Sequence, residues 1–146
     1  MLSNAITISQ LAKEFGISTD TIRYYEKQGL IRPAYRDASG YRRFSEGNKQ
    51  TLSFILRCRR MGFNLQQTEQ LLELDINAEQ VVCADVKEFV DLKRKELAAQ
   101  IQELQIFHQA LTQLSLTCSG DTTSATECTI LDALHHVSTS TSVVKT

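Results

Sequence analysis

The sequence predicts an all-α chain: short helices in front, one long helix behind them, and a polar loop with a short helix at the end. Three observations carry this. The stretch from about Ala78 to Leu116 holds neither Pro nor Gly, and Val90, Leu97, Leu104 and Leu111 recur every seven residues, the spacing of a coiled-coil seam. Ahead of it, short amphipathic segments are punctuated by Gly16, Gly29 and Gly62, residues suited to helix ends. Charge is also divided: residues 1–62 carry eleven Lys/Arg against five acids, net +6, and residues 63–146 carry five against twelve, net −7. A basic head on an acidic body suggests a polyanion bound at one end.

The 146 residues allow one domain or a small domain with an appendage. No apolar run is long enough to span a membrane, and the N-terminus lacks a secretory pattern. The chain is therefore expected in the cytoplasm, with no membrane partner. Thiols stay reduced there, so Cys58, Cys83, Cys118 and Cys128 read as metal ligands, redox thiols or core fillers before disulfides.

In chain order, Thr7 caps a first helix through Phe15, and Gly16 stops it. Ser18-Thr19-Asp20 supplies N-cap residues for a second helix, Thr21 to Gln28, ended by Gly29; Leu30 and Ile31 turn back to the core. Two short helices about a Gly-containing turn make a helix-turn-helix candidate. The second would enter the major groove of double-stranded DNA, offering Thr19, Thr21, Arg23, Tyr24 and Lys27 to phosphates or base edges. After Arg32-Pro33, Asp37-Ala38-Ser39-Gly40 is turn chemistry between strand-like flanks. A short hairpin follows from this, a wing carrying Arg36, Arg42 and Arg43 with Tyr35 and Tyr41, fit for backbone contact beside the groove. Ser45 caps a third helix, about 46–61, with Leu52, Ile55, Leu56 and Cys58 or Arg59 at helical spacing. A fourth runs from Leu65 to Leu74, with Leu71, Leu72 and Leu74 as core residues and Phe63 at the join.

The long helix presents Val86, Val90, Leu97, Ile101, Leu104, Leu111 and Leu114. Alone, such a stripe has nothing to pack on; a second copy is the simplest partner, so a homodimer is expected. Cys118 and Cys128 bracket a polar loop, Ser119 to Glu127, too poor in apolar residues for a core of its own. A metal held by the two Cys would order it, and Ile130 to Leu134 would form a short amphipathic helix closing over it. Cys83 and Cys118 are 35 residues apart, roughly 50 Å along a helix at ~1.5 Å per residue, too far to meet within one chain. Cysteine thiolates suit a soft or borderline divalent ion: cadmium, lead, mercury or zinc. Cys58 reads as a packed thiol, His108 as structural, and His135 and His136 as a solvated helix end or auxiliary metal ligands. Residues 138–146 read as a frayed, flexible tail. The expected division is 1–75 for the winged helix-turn-helix DNA-binding head with linker helices, 76–117 for the dimerisation coiled coil, and 118–146 for loop, short helix and tail.

TIRYYEKQGLI at 21–31, R-x-x-x-GYRRF at 36–44 and RxxGF at 59–63 together resemble the MerR family of transcription regulators. The resemblance covers nearly the whole chain. It implies DNA contacts from Arg23 and Tyr24 on the recognition helix, and from Tyr41 and Arg42 on the wing with Arg43 close by. It implies a two-fold dimer on a pseudo-palindromic operator lying in an over-long promoter spacer. The effector would make the dimer distort that DNA so that RNA polymerase sees both promoter elements in phase. The antiparallel dimer it supports would bring Cys83 of the partner subunit to Cys118 and Cys128. Copper(I) sensors of the family commonly have Ser in place of Cys83, so Cys83 argues for a +2 ion. Zinc sensors carry further Cys and His ligands in the loop; the matching positions here are Ser119 and Thr123. That leans toward a single three-thiolate site, as in cadmium- and lead-responsive members; zinc could still bind with His135, His136, Asp121 or water as fourth ligand. The expected target is a metal-resistance promoter, by family habit that of an efflux pump.

Competing readings are a zinc-specific sensor using extra loop or His ligands, and a metal-free thiol redox or electrophile sensor. An iron–sulfur sensor needs four clustered Cys. A metallohydrolase would need a water-activating site, and no HExxH-like pair occurs; a metal buffer would not need the basic head. The chain is expected not to be an enzyme.

Overall fold

The computed structural model describes residues 4–136. The elements are β1 (Ile6–Thr7), α1 (Ile8–Phe15), α2 (Thr19–Lys27), β2 (Tyr35–Arg36), β3 (Arg42–Phe44), α3 (Glu46–Arg60), α4 (Leu65–Ile76), α5 (Cys83–Leu116), a 3-10 turn (Ala125–Glu127) and α6 (Thr129–His136). The chain divides into two compact units, one through Val90 and one from Asp91. The expected tail, 138–146, lies outside the described residues. Among the described residues no helix is long and apolar enough to cross a membrane.

In the first unit, polar caps set each helix start. Thr7 closes a capping box with Gln10, Ser45 one with Asn48, and Asn64 one with Gln67, each satisfying N–H groups that a helix cannot satisfy itself. Ser18 caps α2 by accepting from the Thr21 N–H. α2 thus starts at Thr19, two residues before the expected start. Asp20 then sits in the first turn, where the helix dipole favours a carboxylate.

Leu11, Ala12, Ile22, Tyr25, Leu30, Ile31, Phe44, Leu52 and Ile55 form one buried cluster. It joins α1, α2, β3 and α3, so α2 and the wing share a core. A second cluster gathers Cys58, Phe63 and Leu71 with Phe54, Leu74 and Phe89 against them; the Phe63 and Phe89 rings stack at 5.9 Å. Cys58, not Arg59, faces the core, and burial, helped by Asp75, pushes its thiol pKa up.

The wing is more than a hairpin. β3 pairs antiparallel with β2 on one side and with β1 on the other, in the order β1-β3-β2. Ile6 stands opposite Phe44 and Thr7 opposite Arg43. The sequence reading missed β1 because a two-residue strand has no period to display.

α4 ends at Ile76 rather than Leu74, and a turn over 77–82 precedes α5, so the long helix starts at Cys83. Along α5, Ile101, Leu104 and Leu111 are exposed.

Candidate nucleic-acid interface and metal centre

The head offers a polar face built from α2 and the wing. Arg23, Tyr24 and Lys27 are exposed on α2, while Tyr25 is turned into the core. Arg23 is steadied by its own helix: it donates to Asp20 Oδ1 at 3.0 Å and to Thr19 Oγ1 at 3.5 Å. Thr21 shares a hydroxyl hydrogen bond with Ser18, so its side chain belongs to the cap before it can read a base.

On the wing, Asp37 organises the turn. Its Oδ1 accepts from the backbone N–H of Ser39 and of Tyr41, each at 3.0 Å, and its Oδ2 accepts from Arg43 Nε at 3.0 Å. The Tyr41 amide above all, with Arg43 and the Ser39 amide, holds the carboxyl pKa below the usual 3.8. Gly40 takes φ 82°, a conformation L side chains rarely adopt, and its carbonyl accepts from Arg36. This presents Tyr41 at 68% exposure. Arg42 donates through Nε to Glu26 Oε2 at 2.6 Å, tying β3 to α2. Thr7, Ile8 and Ser9 then line one groove of about 490 Å³ with Arg23, Tyr41, Arg42 and Arg43.

The cysteine loop is ordered by short-range bonds. Asp121 accepts from the Thr123 N–H at 2.8 Å and from the Ser119 hydroxyl at 3.0 Å; Thr123 foremost, with Ser119, lowers its pKa. Thr129 donates to the Thr117 carbonyl at 2.5 Å, drawing the loop's ends together. The Cys118 sulfur accepts from the Gly120 N–H at 3.4 Å. Cys128 precedes α6 and accepts from the N–H groups of Leu131 and Ile130. These amides, Leu131 first, hold its thiol below the usual 9.0, and a hydrogen bond from Cys118 adds to the effect. A helix N-terminus favours thiolate in this way. Cys118 and Cys128 are therefore side by side, with Cys128 biased toward thiolate.

Not every expected ligand joins them. Among the described residues no three or more His, Cys, Asp or Glu stand together as a metal site. Cys83 is exposed and, within the first unit, lines a cavity with Cys58, Phe63 and Val86. His136 pairs with Asp132 at 3.4 Å, and His135 is exposed.

Residues 7–44 match the model of the MerR family regulatory protein, and residues 50–114 match the MerR, DNA binding model. A transcriptional regulator of Escherichia coli K12, ZntR, is 38% identical over 127 residues, which cover 87% of this chain and 90% of that protein. The chain belongs to the MerR family.

A second relative, a probable heavy metal-dependent transcriptional regulator of Haemophilus influenzae, is 41% identical over 130 residues, covering 89% of this chain and 99% of its own. Among solved structures, the Ralstonia metallidurans regulator PbrR691 in complex with lead(II) matches with TM-score 0.76 and 30% identity, covering 88% of this chain and 98% of that one. These relatives are transcription regulators and not enzymes, as the sequence led us to expect, and the winged helix-turn-helix with a long following helix is the MerR architecture. The sequence reading passed over Ser9 and Glu26 of this MerR head. Ser9 lay in the first turn of α1 and Glu26 within α2, with no local signal that the wing returns to meet them.

Proposed function

We propose that the chain is a metal-responsive repressor and activator of transcription that senses a soft divalent ion through Cys118, Cys128 and Cys83 of the partner subunit. The juxtaposition of Cys118 and Cys128, with the Cys128 thiol pushed down by the start of α6, carries this reading. Such sulfur donors fit cadmium, lead, mercury or zinc better than hard cations. The relatives' names, one heavy metal-dependent and one seen with lead(II), support it. The bound ion would supply a link between thiolates of two protomers and so bias how they are arranged.

The exposed apolar residues of α5 supply the argument for a homodimer: Ile101, Leu104 and Leu111 need cover. Thr19, Thr21, Arg23, Tyr24 and Lys27 on α2, with Arg36, Tyr41, Arg42 and Arg43 on the wing, would grip double-stranded operator DNA. Binding in the cytoplasm next to RNA polymerase, the dimer would switch on a metal-resistance promoter by deforming the operator when charged with metal. The proposed division of labour is 1–75 for DNA, 76–117 for dimerisation and 118–146 for the metal. His135 and His136 would serve only if zinc takes a fourth ligand.

A competition titration of the reduced protein with cadmium, lead and zinc tests this, followed by thiolate-to-metal absorption and by run-off transcription. One ion per three-thiolate site with transcription switched on is the expected result. Tight zinc with full activation would bring in the His pair or Asp121. Absence of any metal response would turn the reading to a thiol redox or electrophile sensor. A normal cadmium response from Cys83→Ser would dismiss the cross-subunit site.

A further inference from the structure

Every acid in the basic head is ion-paired within it. Glu14 and Glu46 hold Lys49 at 3.1 and 3.0 Å, Asp20 holds Arg23 at 3.0 Å, Asp37 holds Arg43 at 2.9 Å and Glu26 holds Arg42 at 2.6 Å. The last pair is different in kind. Asp20–Arg23 lies within one helix turn, and Asp37–Arg43 lies within the wing. Glu26–Arg42 alone connects the recognition helix to the wing, across 16 residues of sequence. Its carboxylate is also the least exposed of the five, at 19%.

We infer that Glu26 is a positioning residue for DNA binding: by holding Arg42 through Nε it fixes the wing against α2 and sets the Arg42 guanidinium in the same groove as Arg23. This rests on the reading of α2 and the wing as the DNA-contacting face. Three considerations support it. A guanidinium bound through Nε keeps its terminal nitrogens for a phosphate oxygen, so one side chain can serve carboxylate and DNA together. Lysine has no such planar fork: its one ammonium would have to serve both partners from a single point, without fixing their relative direction. A partly shielded pair is also less screened than a surface one, so it can hold an angle that exposed pairs would not. Finally, Arg42 and Arg23 line one groove with Tyr41, so the wing's angle decides whether the two guanidinium groups meet one stretch of backbone.

The consequence runs against simple electrostatics. Removing an acid from a surface that meets a polyanion ordinarily tightens binding; removing Glu26 will weaken it. The test uses the full chain and a duplex selected from a random-sequence pool by the unsubstituted protein. Affinity is measured against salt for Glu26→Ala, Glu26→Gln, Arg42→Ala, the Glu26→Ala/Arg42→Ala double variant and Arg23→Ala, with thermal unfolding recorded for each.

Glu26→Ala should lose about fivefold in affinity and shed about one unit of the salt slope, the signature of a lost phosphate contact. A purely structural fault would reduce the active fraction and leave the slope alone. Glu26→Gln, which keeps an acceptor for Nε, should recover part of the loss. In the Arg42→Ala background, removal of Glu26 should cost nothing further; should Glu26→Ala unfold, the affinity and salt slope of Glu26→Gln, unchanged or weakened, decide in its place. Tighter or unchanged binding by Glu26→Ala, with Arg23→Ala weakened, overturns the positioning role. Undiminished binding by both Arg23→Ala and Arg42→Ala overturns the DNA-contacting face itself.

Discussion

The two units of this MerR protein are held together by different means. In the unit through Val90, Leu11, Ile22, Phe44, Leu52 and Ile55 are all wholly buried, and tertiary contacts join four elements around them. In the unit from Asp91, Lys93 is the only buried residue among those described, and the cysteine loop is tied by turn bonds between near neighbours and by the Thr129–Thr117 bond between its ends. The first unit has a hydrophobic reason to fold as it stands. The second has caps, turns and a pair of thiols, and an α5 whose apolar residues face solvent. The difference teaches where the proposed metal signal would enter: a unit built on a buried core tolerates little adjustment, whereas a loop without a core can be reshaped by a ligand.

Truncation breaks the comparison most strongly. Leu52→Ala in the head should cost about 2–5 kcal/mol and abolish DNA binding, whereas Leu131→Ala in α6, exposed in this structure, should cost under about 1 kcal/mol without metal. Equal losses in thermal or denaturant unfolding would show that the second unit has a core of its own.

Metal should narrow the gap. Free cadmium at a hundred times its dissociation constant should add about 2.7 kcal/mol to the loop's stability, read by amide hydrogen exchange of residues 118–136. Cys128→Ser should remove that gain and leave exchange in α1 to α3 unchanged. Protection gained in the head instead would place the metal elsewhere.

Arg23→Ala sharpens the reader's side. It should lose about tenfold in operator affinity, within the ~1–3 kcal/mol of a good base or phosphate contact, and leave cadmium affinity alone. A change in cadmium affinity in the DNA-free protein would mean that the units are coupled before DNA arrives.

The smallest effect is one of pH. Asp37 has its folded pKa below the usual 3.8, so its contribution to the wing is full above that value and is lost as pH falls through the lower, folded one. The Tyr41 amide resonance should therefore move below about pH 4, and Asp37→Asn should suppress the movement. A midpoint at or above the ordinary carboxylate value would contradict the turn geometry.

Much of the head was legible in sequence because its signals are local: caps at Thr7, Ser18 and Ser45, stops at Gly16 and Gly29, and Asp-Ala-Ser-Gly at the wing tip. What escaped was tertiary. β1 exists only because Ile6 finds Phe44, and Arg42 was read as a DNA contact with no means of seeing that Glu26 already holds it. The start of α2 was misplaced by two residues because Ser18, Thr19 and Asp20 all cap well, and only the geometry at Ser18 decides among them. At the other end, the pairing of Cys118 with Cys128 was legible from a polar loop that lacked a core. The help Cys128 receives from α6 was not, since it depends on where the helix begins.

Thr7 has a double appointment. It is the last residue of β1, opposite Arg43, and also the cap of α1. Wing and first helix are thereby riveted at one hinge-free joint, with no slack residue between them. A displacement of the wing would therefore reach α1 through Thr7 itself, because strand and cap are one residue. Lengthening the chain by a single residue at Thr7 would part the strand from the cap, while an insertion at Ala38 or Ser39 would disturb the turn held by Asp37 and leave that joint intact.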